Sequence, residues 1–272
     1  MGASVTTLVH RRLDDEQLHE LIVAAPDTPS TLDDEHRRAL GARFRAVAGT
    51  AHRRLDAWSV ERAGVIDAGF RWSSSTARRL LGNAALRRTR VNSSLSLADA
   101  VRDVVTDQLL RAAAGYARPG SLEHWLAATS AGERGAVVAE AVNWATHVVE
   151  TTQHLELDWR VADSDAYYDV ASARTTLRGR RDLVVGQGDL RVLVRFRLAS
   201  PGKSAGPGLR SDLTIDALAH REGRAAARII GIWPEAGVML AVDGTMDDLR
   251  AGARDLVRAA VVLERRRTAR AA

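Results

Sequence analysis

Apolar residues recur every three or four positions through the first part of the chain, to about residue 154, which is the spacing of amphipathic helices. Three stretches begin with a Ser or Thr followed three residues later by an acid, which is a helix-capping pattern: Thr31 with Asp34, Ser96 with Asp99, and Ser130 with Glu133. The first apolar stripe runs from Leu40 to Trp58. The spacing therefore predicts three packed helices, the first of them continuous through Trp58.

After about residue 155 the pattern changes to short runs of Val, Ile, Leu and Trp, separated by turns that contain Gly or Pro. The predicted strands cover residues 157–161, 176–185, 190–198, 227–233 and 238–242. A loop at 199–208 and a short helix at 210–221 separate the third strand from the fourth. A last helix begins at Thr245, with Asp248 as its capping partner.

This order of elements predicts an α+β (α/β) fold, with a helical N-terminal part followed by a small mixed β-sheet with flanking helices. We place the helical N-terminal region at residues 1–154 and the strand-rich core at 155–263. A basic tail follows at 264–272, and we expect this end of the chain to fray.

Composition excludes several classes of protein. The chain of 272 residues has no cysteine, so disulfides, cysteine-ligated metal sites and thiol nucleophiles are excluded. No stretch approaches the ~18 uncharged apolar residues of a membrane-spanning helix. We expect a cytoplasmic protein with no membrane partner.

Basic residues carry less information than their number suggests. The formal net charge is +5, and among 39 Lys and Arg residues only Lys203 is a lysine. Such a bias toward arginine indicates GC-rich coding as readily as selection for basic character. Part of the positive charge also lies in the tail after Leu263. The isoelectric point alone therefore does not predict a partner.

The predicted strands at 176–185 and 190–198 place charged residues together, because side chains two apart on a strand share a face. Arg195 and Arg197 lie on one face, opposite Val194 and its apolar neighbours. In the preceding strand, Asp182 shares a face with other charged residues. A hairpin through residues 186–189 would set Asp182 opposite the two arginines.

The order of these segments resembles the RecB-like branch of the PD-(D/E)XK nuclease superfamily over about residues 155–245. That branch carries a Gly-x-x-Asp segment, an acid-x-Lys pair on the next strand, a helix with Gln-x-x-x-Tyr, and two more strands. Here Gly179-Arg180-Arg181-Asp182 matches the first segment, and Arg195-Phe196-Arg197 stands in place of the acid and the lysine. Asp212 and Asp216 replace the Gln and Tyr, and residues 228–234 resemble the following strand.

The resemblance implies a catalytic site built from Asp182, Arg195 and Arg197, with Glu140 as an acid contributed by an earlier helix. Arginine neither binds a cation nor acts as a base, because it stays protonated. Lys203 lies in a predicted loop beyond the strand, where it cannot replace the lost lysine. The site is therefore expected to be eroded and inactive, with no cofactor; Mg²⁺ or Mn²⁺ would be needed only if it were active.

Ordinary structural roles remain open for the same residues. Asp182, Arg195 and Arg197 would also fit a cross-strand ion pair on a solvated sheet face, worth about 0 to 1 kcal/mol. Asp212 and Asp216 would fit the start of a helix, where acids offset the helix dipole.

A second candidate surface is the segment at residues 71–90, which contains six arginines and no acid. A helix capped by serines 73–75 would leave its arginines for solvent or for phosphate. The candidate nucleic-acid-binding residues are Arg78, Arg79, Arg87, Arg88 and Arg90. The string from Ser73 to Leu81 also resembles the recognition helix of helix-turn-helix proteins.

Three functional hypotheses follow. The first is a protein associated with DNA or another nucleic acid, on a RecB-like nuclease fold with an eroded catalytic site. The second is an active metal-dependent DNA nuclease with a non-standard site. The third is a helix-turn-helix-like regulator or interaction module without nuclease ancestry.

Overall fold

The computed structural model describes residues 5–9, 15–47, 53–67, 105–106, 109, 131–152, 159–161, 166–170, 173–186, 190–197, 201 and 205–271. Within these residues the fold is mixed α+β, with six α-helices and two small sheets. The elements in chain order are β1 (Val5–Val9), α1 (Asp15–Val23), α2 (Asp34–Ala46), β2 (Arg53–Leu55), α3 (Ala57–Asp67), α4 (Ala131–Thr152), β3 (Trp159–Val161), β4 (Ala166–Val170), β5 (Thr175–Gly179), β6 (Leu183–Val185), β7 (Val192–Phe196), α5 (Ala205–Ala219), β8 (Arg228–Trp233), a 3₁₀ turn (Pro234–Ala236), β9 (Val238–Asp243) and α6 (Met246–Ala271).

The larger sheet has six strands in the order β1-β9-β8-β7-β6-β3. Its pairs are antiparallel except β7 with β8, which run parallel and are joined by α5. A parallel pair needs such a crossover, and a helix is its usual form. The predicted hairpin between β6 and β7 is confirmed, with Leu183 opposite Val194. Gly186 begins the connection at φ 77°, a backbone conformation that glycine adopts without steric cost.

The strand predicted at 176–185 is wrong, because the chain changes sheets within it. β5 belongs to a second, three-stranded sheet of order β2-β5-β4, whereas β6 belongs to the large sheet. Gly179 ends β5 where a Cβ would lie 3.1 Å from the carbonyl oxygen of Asp212 and from the Ile215 side chain. β5 therefore ends at a glycine that allows close approach to α5, and the chain continues from there into the large sheet.

Apolar side chains cover both faces of the large sheet. On one face, Trp144 of α4 packs with Val194 and Ile230, and its ring meets the Phe196 ring edge-on at 6.5 Å. On the other face, α3, α5 and α6 pack against the neighbouring strand residues, such as Leu193. The apolar residues that pack on each face of the large sheet come from both sides of residue 154. From the first part of the chain, β1 is an edge strand of this sheet.

The continuous first helix predicted from Leu40 to Trp58 is also wrong. α2 ends at Ala46, and Leu55 lies in β2, where it pairs in parallel with Leu177. The cap of α2 is Asp33, whose carboxylate accepts from the backbone N–H groups of Glu35 and His36, each at 3.0 Å. The apolar spacing therefore continues through residue 58, but residues 53–55 pair with β5 as a strand instead of continuing the helix.

Other local predictions are confirmed. α4 begins at Ala131, directly after the predicted Ser130. Thr245 and Asp248 cap α6, with Asp248 N donating to Thr245 Oγ1 at 3.2 Å and Thr245 Oγ1 donating to the carboxylate at 2.8 Å.

The tail expected to fray is instead helical through Ala271. Of the helix predicted after Ser96, the structure describes only residues 105, 106 and 109, which are helical. None of the helices in the described part of the chain has the length and apolar character needed to cross a membrane.

Gly231 provides a test of packing beneath α5. A Cβ at this position would lie 2.7 Å from the Trp233 ring and 3.0 Å from Leu209. Gly231→Ala is therefore expected to lower the free energy of unfolding by about 1 to 3 kcal/mol. Gly135→Ala is the control, because a Cβ there meets nothing within 4 Å and alanine favours the helix by up to ~1 kcal/mol. Urea denaturation of both variants should show shifts of opposite sign; equal shifts would contradict the packing.

Candidate functional site

The charged face of β7 lies against α5. Arg191, Leu193, Arg195 and Arg197 alternate with apolar residues that face α4, so these four side chains point toward α5. Arg191 and Arg197 are buried, and 12% of the Arg195 side chain is exposed. The expectation of a solvated sheet face is therefore wrong, because a helix covers it.

Asp212 is the most enclosed acid of this site, with 1% of its surface exposed. Its carboxylate accepts from the guanidinium of Arg195 and, at 3.2 Å, from the backbone N–H of Arg180. Burial raises the pKa of Asp212, while the positive charges of Arg195 and Arg197 oppose the rise. Asp212 therefore joins β7 to residues 180–182, where the chain passes from the small sheet to the large one. We call residues 180–182 the crossing segment.

Asp216 lies one turn further along α5 and is also buried. It accepts from Arg181 at 2.5 Å and from Arg191 at 2.7 Å. Arg191 Nη2 also donates to the carbonyl oxygen of Arg224 at 2.8 Å. One carboxylate is thus held between the crossing segment and the start of β7.

The assignment of the two α5 acids to the beginning of a helix is wrong. α5 starts at Ala205 rather than near Arg210, so Asp212 is its central residue and Asp216 lies in its second half. Pro207 does not prevent this early start, because the first N–H groups of a helix have no intrahelical partner. The two acids therefore compensate guanidinium groups rather than the helix dipole.

Asp182 bonds to the backbone of β7. Its backbone N–H donates to Val194 O at 3.0 Å, and its carboxylate Oδ2 accepts from Phe196 N at 2.8 Å. The carboxylate thus extends the β6–β7 ladder one step beyond the end of β6. Its other oxygen lies 3.9 Å from Arg180 Nε. Arg195 and Arg197, which we expected opposite Asp182, bind Asp212 and Glu61 instead.

Arg197 contacts Glu61, a residue that no sequence pattern indicates. Its guanidinium donates to Glu61 of α3, and its charge lies 5.7 Å from the centre of the Trp233 ring. Burial lowers the pKa of Arg197, whereas the negative charges of Asp212 and Asp56 oppose the fall. Glu61 and Arg197 are 136 positions apart, so no local spacing indicates the pair. Asp212 and Asp216 do leave a signal, as two acids four apart on a helix whose one other charged residue is Arg210.

The remaining predicted residues lie elsewhere. Glu140 is on α4, which packs against the opposite face of the sheet from α5, so the structure does not bring it to the other site residues. The candidate residues Arg78, Arg79, Arg87, Arg88 and Arg90, together with Lys203, lie outside the described residues. Among the residues that are described, no group of three His, Asp or Glu side chains is arranged to hold a metal ion.

No protein-family model matches the chain, and no match is found among curated proteins or among solved structures. Each of the carboxylates of Glu61, Asp182, Asp212 and Asp216 contacts an arginine or a backbone N–H group. The arrangement is an ion-pair network that connects α3, α5, β7 and the crossing between the two sheets.

Removal of one buried partner should be costly because the other charge stays buried. Asp212→Ala is expected to lower the free energy of unfolding by about 3 to 5 kcal/mol. The control is Glu222→Ala, which removes an exposed ion pair with Arg224 of N–O distance 3.0 Å and should cost less than about 1 kcal/mol. The double variant Arg195→Met/Asp212→Leu should recover much of the loss. Denaturant unfolding measures all three; an Asp212→Ala effect no larger than the control would contradict the network.

Gly208 tests the Glu61–Arg197 contact sterically. A Cβ on Gly208 would lie 2.3 Å from Glu61 Oε1, and the next two nearest atoms also belong to Glu61. Gly208→Ala should therefore displace the carboxylate from Arg197 and destabilise the fold by about 1 to 3 kcal/mol. In a Glu61→Ala background the clash is absent, so the same change should be neutral or stabilise by up to ~1 kcal/mol. A double-mutant cycle measures this coupling, and purely additive effects would refute it.

Proposed function

We propose that the protein binds nucleic acid on a core related to the RecB-like nucleases and does not cleave it. The observation that carries this proposal is the distribution of charge on β7 and α5, which differs from the RecB-like pattern. The RecB-like pattern has an acid and a lysine on the strand, with Gln and Tyr on the helix. This chain has Arg195 and Arg197 on the strand and Asp212 and Asp216 on the helix, and Arg195 bonds directly to Asp212.

The order of elements supports the relationship. A Gly-x-x-Asp segment precedes β6, Arg195 lies on β7 with Arg197 directly after it, the two acids lie on α5, and β8 and β9 follow. β6 and β7 are antiparallel, and α5 carries the chain over to the parallel strand β8. This is the sequence of strands and helix that the resemblance implies.

The contacts of the site argue against metal-dependent hydrolysis. Such chemistry needs oxygen ligands that converge on a divalent cation. Asp182 directs one carboxylate oxygen to Phe196 N, and Asp212 is bound to a guanidinium that would repel a cation. Arginine stays protonated and cannot activate a water molecule as a base.

Binding to nucleic acid draws its support from two places where arginines are concentrated, not from the overall number of arginines. The segment at residues 71–90 has six arginines and no acid, and exposed arginines also line the outer surface of α6. Arginine donates to phosphate oxygens in a planar, two-pronged geometry, so it is well suited to a nucleic-acid backbone. The proposed role is binding or scaffolding in DNA transactions.

A combined binding and cleavage assay tests this function. We expect wild-type protein to shift labelled single-stranded or linear duplex DNA at low salt. Affinity should fall steeply as salt rises, because bound counterions are released. Added Mg²⁺ or Mn²⁺ should produce no cleavage, and Asp182→Ala should leave DNA binding unchanged.

Two outcomes would overturn the proposal in different ways. Metal-dependent cleavage that Asp182→Ala abolishes would establish an active nuclease with a non-standard site. Absence of any shift at low salt, where electrostatic attraction is strongest, would remove the nucleic-acid role and favour an interaction module.

A further inference from the structure

A shallow groove of about 140 Å³ lies between α2 and α6. Its floor is apolar and includes Leu40 and Ala253, while four basic side chains line it: His36, Arg43, Arg250 and Arg254. The two helices thus bring positive charge from distant parts of the sequence to the two sides of one apolar groove.

Hydrogen bonds hold one end of this groove in place. His36 Nδ1 lies 2.9 Å from the carboxylate of Asp33, and its Nε2 lies 3.2 Å from Arg250 Nη2. Asp33 is itself the cap of α2, so the chain Asp33–His36–Arg250 connects the start of α2 to α6. Arg43 and Arg254 are exposed beyond this fixed end.

The basic side continues along the outer surface of α6. Four exposed arginines share this surface: Arg250, Arg254, Arg258 and Arg265. At 3.6 residues per turn they fall within an arc of about 80°. With a rise of 1.5 Å per residue, the set extends about 22 Å along the helix axis. We call this set the α6 arginine stripe.

The acids of α6 offset only part of the α6 arginine stripe. Asp248 is buried in the helix cap, and Glu264 binds Arg53 at 3.2 Å. Asp255 binds Arg210 at 3.3 Å; burial raises the pKa of Asp255, and the positive charges of Arg210, Arg254 and Arg258 oppose the rise. Asp247 is exposed in the first turn, at the end of the helix. The four arginines therefore leave this surface of α6 with a net positive charge.

We infer that the α6 arginine stripe and the adjoining α2–α6 groove bind the phosphate backbone of a nucleic acid. This inference rests on the proposed function and assigns it a surface. One phosphate recurs about every 3.4 Å along each strand of a duplex, so a stripe of about 22 Å faces several phosphates in succession. A single small anion would use only part of it. The apolar floor beside the arginines offers contact to a sugar or base.

The test compares Arg250→Ala/Arg254→Ala with wild type by fluorescence anisotropy of a fluorescein-labelled oligonucleotide, single-stranded and duplex. Loss of two phosphate contacts should weaken binding roughly tenfold or more at low salt. It should also lower the slope of log affinity against log salt concentration by about two. Arg134→Ala is the control, since Arg134 is an exposed arginine on α4, across the sheet from α6. It should leave both quantities close to wild type.

The outcomes separate this inference from the function on which it rests. If wild type binds the oligonucleotide and the double variant binds equally well, the α6 surface is refuted while the proposed function stands. Equal weakening by Arg134→Ala would also refute the surface, because the effect would follow net charge alone. If wild type binds neither oligonucleotide, the proposed function itself fails. Binding to phosphatidylserine vesicles without binding to the oligonucleotides would overturn the inference in favour of a membrane surface.

Discussion

Two carboxylates buried on α5 set the constraint on which the rest of the core depends. An uncompensated buried charge costs several kcal/mol, so Asp212 and Asp216 require cationic or N–H partners within hydrogen-bonding distance. Arg195 and Arg191 supply them from β7, and the crossing between the sheets supplies them through Arg180 N and the Arg181 side chain. Compensation of these charges therefore holds β7 against α5 and fixes the path by which the chain leaves one sheet for the other.

The parts of this arrangement that the sequence predicted are those governed by short-range patterns. Alternation of apolar and charged residues located β7 and showed that Arg195 and Arg197 share a face, and the Thr245–Asp248 cap located the start of α6. Features that depend on distant partners were missed. Glu61 reaches Arg197 across 136 positions, and the change of sheet between β5 and β6 depends on strand pairing that the apolar pattern does not show. Pro207 suggested a loop where a first helical turn tolerates proline.

The error about the charged face of β7 has a specific physical origin. A strand with alternate arginines has the same sequence pattern whether its polar face meets water or a helix that carries acids. The discriminating information lay in α5, where Asp212 and Asp216 recur with the period of a single helix face among apolar residues. Matching a cationic strand to an anionic helix stripe would have predicted the buried network. Lysine would serve this site less well, since arginine keeps its charge on burial and presents several donors in a fixed plane.

Arginine has two separate uses in this molecule, and their separation bears on the proposed loss of catalysis. The arginines that face α5 are matched by carboxylates and contribute to the internal structure of the core. Those of the outer α6 surface outnumber the acids near them: Asp248 is in the cap, Glu264 binds Arg53, and Asp255 binds Arg210 while its charge also acts on Arg254 and Arg258. If Arg195 stands where a catalytic relative carries a metal-binding acid, this replacement removes hydrolysis without altering a phosphate-binding surface on another helix. On this proposal, nucleic-acid binding is retained while cleavage is lost, because the two activities depend on different elements of the fold.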